Sequence, residues 1–175
     1  MMCLSDKYPV LSVLPMSLND ELTQLYNREG FICAAEHILE CASISDRWAC
    51  LLSLQVNHLD VIEQALGSET ADRFLIHTGV CLREAFTQFA VIGRTSSQRF
   101  AVLFLVNSPA ACTVSLDRLI ETIDRHNTRR GEIDLSLRGG FNQFATRSSV
   151  SIQRLLNDAD GRLQAAMNNR CRGDG

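Results

Sequence analysis

Residues 48–106 read WACLLSLQVNHLDVIEQALGSETADRFLIHTGVCLREAFTQFAVIGRTSSQRFAVLFLV, and this stretch decides the fold. Trp48 to Val56 is a nearly continuous apolar run bounded by polar turns, which predicts a buried strand. HLDVIEQAL (58–66) predicts a short helix ending at Gly67, a natural C-cap residue. Ser68 is placed as the cap of a longer helix, Glu69 to Ala85. Ala71, Phe74, Leu75, Thr78, Leu82 and Ala85 line one side of it. Phe89 to Ile92 and Arg99 to Val106 predict two strands joined by GRTSSQ, a hairpin signal.

On the N-terminal side, Phe31, Ile32, Ala35, Ile38, Leu39 and Ala42 recur at three- and four-residue spacing, predicting a helix over Arg28 to Ala42. Asn19 or Asp20 is placed to cap a short turn before it. On the C-terminal side, Ser108-Pro109 ends the hairpin. Leu116, Leu119, Ile120 and Ile123 then predict a helix over Val114 to His126, stopped by Gly131. Ile133, Leu135 and Leu137 alternate with Asp134, Ser136 and Arg138, the pattern of a half-buried strand. Ser148 or Ser149 opens a last helix carrying Ile152, Leu155, Leu156, Ala159, Leu163 and Ala166. This order implies an α+β fold: a ferredoxin-like β-α-β-β-α-β sheet, mostly antiparallel, with helices packed on it. Residues 1–18, with Pro9 and Pro15, read as an N-terminal lead-in or linker, and 19–172 as the domain.

The 175 residues suit one domain, and the balance of 46% apolar to 21% charged residues excludes disorder. A net charge of −3 gives no electrostatic footprint for nucleic acid. No apolar run approaches the ~20 residues of a membrane span, and the first residues lack the layout of a secretory signal. Seven cysteines, an odd number, sit mainly in apolar segments and point to reduced, mostly buried thiols and a cytoplasmic location.

Few residues announce chemistry by type alone. Cys33, His37 and Cys41 suggest a metal, yet the outer two lie ~12 Å apart along a helix, too far for one ion. The expected role of that face is contact with the core. Asn57-His58 is a loop pair at a strand end without a nucleophile beside it. Gly139 and Gly140 lie near a strand end but open no helix, so they make no phosphate cradle. Arg129-Arg130 reads as a solvated loop pair.

A further pattern changes this reading. Asp20, Leu22, Thr23, Leu25, Asn27 and Arg28, in D-x-L-T-x-L-x-N-R spacing, resemble the opening motif of GGDEF domains, the diguanylate cyclase family. Gly67, Asp72, Leu75 and His58 fall on expected positions of the strand–turn–helix segment that follows. Arg94 with SSQRF stands where the family has its name-giving hairpin, and ADGRLQAAMNN resembles the C-terminal A-D-x-A-L-Y-x-A-K. The resemblance covers about residues 18–172. It implies a cyclase-type palm fold and an ancestral condensation of two GTP molecules to cyclic di-GMP across a dimer.

Against that pattern the polar positions depart together. The metal-binding acids of the family fall on Gln55 and Gln98, and the neighbouring acid on Arg99. The whole signature is Ser96-Ser97-Gln98-Arg99-Phe100. Glu63 replaces the guanine-reading Asn, while the guanine-reading Asp survives as Asp72. Asp60 stands at a lysine position, and Met167 and Cys171 stand at the phosphate-binding Lys and Arg. The product-site R-x-x-D falls on Thr87-Gln88-Phe89-Ala90.

The resemblance thus implies a degenerate domain without cyclase activity, metal or cofactor. It would act as a regulatory or protein-interaction module in bacterial cyclic di-GMP signalling, with a protein partner, an adjoining signalling domain or a second copy. The alternative is a non-catalytic GTP or guanine-nucleotide sensor working through Asp72, with Glu63 and Asn57 nearby. An active diguanylate cyclase is the remaining reading.

Overall fold

The computed structural model describes residues 17–86, 90–130 and 134–170. In chain order these form α1 (Arg28–Ala42), β1 (Trp48–Val56), α2 (Leu59–Leu66), α3 (Ser68–Ala85) and β2 (Ala90–Arg94). There follow β3 (Arg99–Val106), α4 (Pro109–Arg130), β4 (Leu137–Ala145) and α5 (Ile152–Arg170). The strands make one sheet in the order β2-β3-β1-β4, antiparallel at every step. This is the expected ferredoxin-like arrangement.

The central strands are apolar on both sides because both sides are covered. Cys50, Leu52, Leu54 and Val56 of β1 pack with Phe100, Val102 and Phe104 of β3 under Leu75 and Leu82 of α3 and Leu119 of α4. Ala49, Leu51, Ala101 and Leu103 face the other way, against Phe31 and Ala35 of α1 and Ile152 and Leu156 of α5. A strand buried on both faces reads as a run without alternation, which is how β1 and β3 are written.

The D-x-L-T-x-L-x-N-R segment is built into the sheet edge. Asp20 Oδ1 accepts from the Thr23 backbone N–H at 2.8 Å and from its hydroxyl at 2.7 Å, closing a turn. Tyr26 then bridges to β2: its carbonyl accepts from Arg94 N at 2.7 Å, and its N–H donates to Ile92 O at 3.3 Å. That covers an otherwise open edge strand. Asn27 caps α1 by accepting from Gly30 N at 2.9 Å, and its amide donates to Ser17 O at 2.7 Å.

Several boundaries differ from the sequence reading. Gly67, at φ +88°, both ends α2 and precedes α3, so Ser68 lies in the first turn of α3 and caps nothing. α4 begins at Pro109, where a missing N–H costs nothing at the first helical position, rather than at Val114. It continues to Arg130, so Arg129-Arg130 closes a helix and is not a loop. Ile120 points outward rather than inward. α5 opens at Ile152, with Ser151 Oγ accepting from Arg154 N at 3.3 Å, so neither Ser148 nor Ser149 is its cap. Gly93 and Arg94 belong to β2, which shortens the hairpin connection to 95–98.

β4 is the largest correction. It runs over Leu137–Ala145 rather than 133–138, and Gly139 and Gly140 lie within it. Leu135 is buried as irregular chain, held by Asn127, whose Oδ1 accepts from Leu135 N at 2.9 Å and whose amide donates to Leu135 O at 3.0 Å. Phe89, Gly131 and Ile133 lie outside the described residues. The Cys33/Cys41 face of α1 is exposed and does not meet the core; only Cys50, Cys81 and Cys112 of the five described thiols are buried, and none of the five is in a disulfide. Among the described residues no helix is long and apolar enough to cross a membrane.

Candidate functional site

The hairpin end of the sheet gathers the departures noted in the sequence. Gln55, next to last in β1 and buried, stands opposite Arg99 of β3 and Arg138 of β4. Directly paired residues share a face, so the three side chains form a row on the side covered by α1 and α5. Beyond the last pair, Val56 N donates to Gln98 O at 3.0 Å, which extends the ladder into the turn. The side chains meet there as well: Gln55 Nε2 donates to Gln98 Oε1 at 3.4 Å.

Arg99 does not project over this row into solvent. Its guanidinium pairs with Asp160 Oδ1 of α5 at 3.2 Å, while Arg28 of the opening motif takes Oδ2 of the same carboxylate at 3.1 Å. Arg28 also donates to Asn157 Oδ1 at 2.7 Å. Arg138 brings a further cation from the far side of β1, and its Nε is buried with no hydrogen-bond partner among the described residues. Among the described residues the row therefore holds two amides and two guanidinium groups, and Asp160 is an acid that reaches it.

The turn is held from the other side. Arg94 binds Asp20 through one nitrogen, at 3.0 and 3.2 Å, and donates to Ser97 O at 2.8 Å through the other. Burial by itself would raise the Asp20 pKa, but the hydroxyl and backbone N–H of Thr23, then Arg94, outweigh it and hold the carboxyl below its ordinary value. Thr95 N donates to Arg99 O at 2.8 Å and closes the hairpin. Ser96 and Ser97 are exposed at the tip, whereas Phe100 is fully buried and serves the core.

The other candidate residues are placed separately. Asn57 donates from its amide to Ser136 Oγ at 2.9 Å, tying the end of β1 to the segment before β4. His58 has φ +57° and accepts from Ile62 N through its carbonyl, a turn role. Asp60 and Glu63 on α2 and Asp72 on α3 are exposed. Thr87 to Phe89, the Met167 side chain and Cys171 lie outside the described residues. Gln55, Gln98 and Arg99 are thus brought together, while no hydrogen bond among the described residues joins Glu63 or Asp72 to them. Sequence reasoning missed Arg138 and the double use of Asp160. The alternation over 133–138 placed Arg138 on an outward face, and only the true register of β4 puts it opposite Gln55.

Comparisons with known proteins agree with this architecture. The sequence profile of the family described as diguanylate cyclase, GGDEF domain, matches residues 17–172. Protein y4lL of Sinorhizobium fredii is 30% identical over 153 residues, which is 86% of this chain and 18% of that protein. Diguanylate cyclase DgcP of Escherichia coli is 26% identical over 155 residues, 89% of this chain and 44% of DgcP. The chain therefore spans less than half the length of either curated relative. The GGDEF domain of DgcB from Caulobacter crescentus, solved in complex with c-di-GMP, superposes with a TM-score of 0.71 at 19% identity, covering 90% of this chain and 94% of that one. The profile match covers the opening motif, the sheet, the hairpin and α5 together, and the chain belongs to the GGDEF domain family.

Proposed function

We propose that this chain is a catalytically inactive GGDEF domain that works by protein contact in cyclic di-GMP signalling. The observation that carries this reading is the Gln55–Gln98 pair set between Arg99 and Arg138. Mg²⁺ is a hard cation that needs anionic oxygen, and neither amide supplies it. The donor set at this sheet end does not fit that metal.

Charge works in the same direction. Two unit charges ~4 Å apart interact by about 4 kcal/mol at an effective dielectric of 20, and a divalent ion doubles the cost of a cation beside it. Asp160 offsets part of the Arg99 charge, so the missing anions weigh more than the added cation. Asp160 is itself shared between two arginines and is already committed. The domain limits 19–172 and a cytoplasmic setting belong to this proposal; five described cysteines that stay outside disulfides support the latter. Exposed Ile76 and Val80 on α3, with Val114 and Ile120 on α4, offer apolar surface to a partner, an adjoining domain or a second copy.

The deciding experiment is incubation of purified protein with GTP and Mg²⁺ or Mn²⁺, with chromatographic detection of cyclic di-GMP. No product above a no-enzyme control is expected, and clear product formation overturns the proposal. Calorimetry with GTP at millimolar concentration accompanies it. Saturable heat that disappears in Asp72→Ala replaces the contact-module reading with a nucleotide sensor.

A further inference from the structure

On the opposite face of the sheet, α3 and α4 bring three donor groups to one point. His77 and Cys81 lie one turn apart on the buried side of α3, and both are enclosed. His126 approaches from α4. His77 Nε2 and His126 Nδ1 are 2.9 Å apart, and one nitrogen or sulfur atom from each of the three side chains lies within 4.8 Å of the others. Behind His126, its Nε2 meets Glu84 Oε2 at 2.7 Å, and Glu84 is also paired with Arg125.

The proton positions follow from these partners. An ionised carboxylate only accepts, so Nε2 of His126 carries a proton, and in the neutral ring Nδ1 carries a lone pair facing His77. His77 Nε2 then supplies the proton between the two rings. A histidine held by a carboxylate through one nitrogen, with the other facing a second imidazole and a thiol nearby, is the arrangement that orients metal ligands.

We propose that His77 Nε2, Cys81 Sγ and His126 Nδ1 form a zinc site across the α3–α4 seam, with Glu84 as a positioning residue for His126. Imidazole and thiolate donors select zinc-class ions over Mg²⁺ or Ca²⁺. Zn–N bonds of ~2.0–2.1 Å and a Zn–S bond of ~2.3 Å at tetrahedral angles require N···N near ~3.3 Å. The imidazole pair thus needs to open by about 0.4 Å, and the Cys81 sulfur, which lies within 4.8 Å of the ring nitrogens, needs to come to about 3.5 Å from each. On binding, the His77 proton moves from Nε2 to Nδ1 and the Cys81 thiol proton leaves to solvent, so one proton is released per ion. Three protein ligands leave the fourth position to water, and the half-buried edge at His126 gives access. The ion would fasten α3 to α4, independently of any chemistry at Gln55.

The test is titration of the purified chain with Co²⁺ and then Zn²⁺. Expected are one ion per chain, d–d bands of tetrahedral cobalt with a thiolate charge-transfer band, and displacement of both by zinc. Zinc at a hundredfold excess over its Kd should raise the melting temperature by about 5–10 °C. Cys81→Ser should abolish the charge-transfer band. Because Cys81 is enclosed, His126→Ala at the seam edge, checked for folding by circular dichroism, gives an independent loss of binding. Glu84→Gln should keep the cobalt spectrum while weakening affinity about 10- to 100-fold. Cys33→Ser/Cys41→Ser should change nothing, although Cys41 Sγ lies 3.7 Å from His37 Nε2. Absence of cobalt bands, their persistence in Cys81→Ser or in folded His126→Ala, or their loss in Cys33→Ser/Cys41→Ser each overturns the assignment.

Discussion

Arg99 and Asp160 are joined at 3.2 Å between β3 and α5, on a carboxylate that Arg28 holds from the other side at 3.1 Å. Arg99 is thereby part of the scaffold. It locks the hairpin base to α5 and to the opening motif.

Removing that shared carboxylate should be costly. Asp160→Asn takes the shared carboxylate away from two partly buried guanidinium groups, and a loss of about 1–3 kcal/mol is expected. In thermal denaturation this corresponds to a fall of about 3–10 °C. A variant that melts within about 1 °C of the parent chain contradicts a structural role for the cluster.

The Asp20 turn predicts an acid-sensitive contribution. Its folded pKa is lowered from the ordinary 3.8, so its stabilisation is complete above that value and is lost as pH falls through the folded one. Asp20→Asn should therefore destabilise the chain near neutral pH. The gap between variant and parent in urea unfolding should narrow as pH falls below ~4. A gap that stays constant with pH counts against the linkage.

Two adjacent glycines should behave oppositely. A Cβ on Gly139 would overlap the Ser53 carbonyl of β1, whereas one on Gly140 meets open space. Gly139→Ala is expected to lose about 1–3 kcal/mol by forcing β4 away from β1. Gly140→Ala is expected to be neutral or to gain about 0.4–1 kcal/mol through lower chain entropy in the unfolded state. Paired urea titrations read both.

Thiol labelling should separate the cysteines by burial. Desolvation, then the neighbouring Cys112, pushes the Cys50 thiol well up, and burial raises Cys112 as well. Peptide mapping after brief iodoacetamide treatment should find Cys33 and Cys41 labelled in the folded protein. Cys50, Cys81 and Cys112 should react only after denaturation.

Much of the fold was legible because its signals are local. α1 over Arg28–Ala42 and β1 over Trp48–Val56 fall where apolar spacing predicts them, since each is bounded by turn chemistry within a few residues. β4 was not legible. Its centre is Arg138-Gly139-Gly140, a poor strand by propensity, and it is a strand because the neighbouring β1 imposes a ladder and close approach. The preceding alternation at Leu135 and Leu137 satisfied the pattern of a strand, while Leu135 is instead pinned by Asn127. Apolar spacing from Leu116 to Ile123 predicts only the later part of α4, because Pro109 ends the preceding strand and also serves as a first-turn helix residue.

The amino-acid order alone settled which atoms are available. It places amides at 55 and 98, a guanidinium at 99, and apolar strands that demand cover on both faces. Only the tertiary structure decided where the charges and donors go. Arg99 reaches Asp160, Arg138 stands opposite Gln55, and His77 and Cys81 meet His126 through pairings of elements far apart in the chain. Local spacing cannot encode such meetings, because strand register and helix packing are fixed by the burial of a whole core rather than by any neighbouring residue.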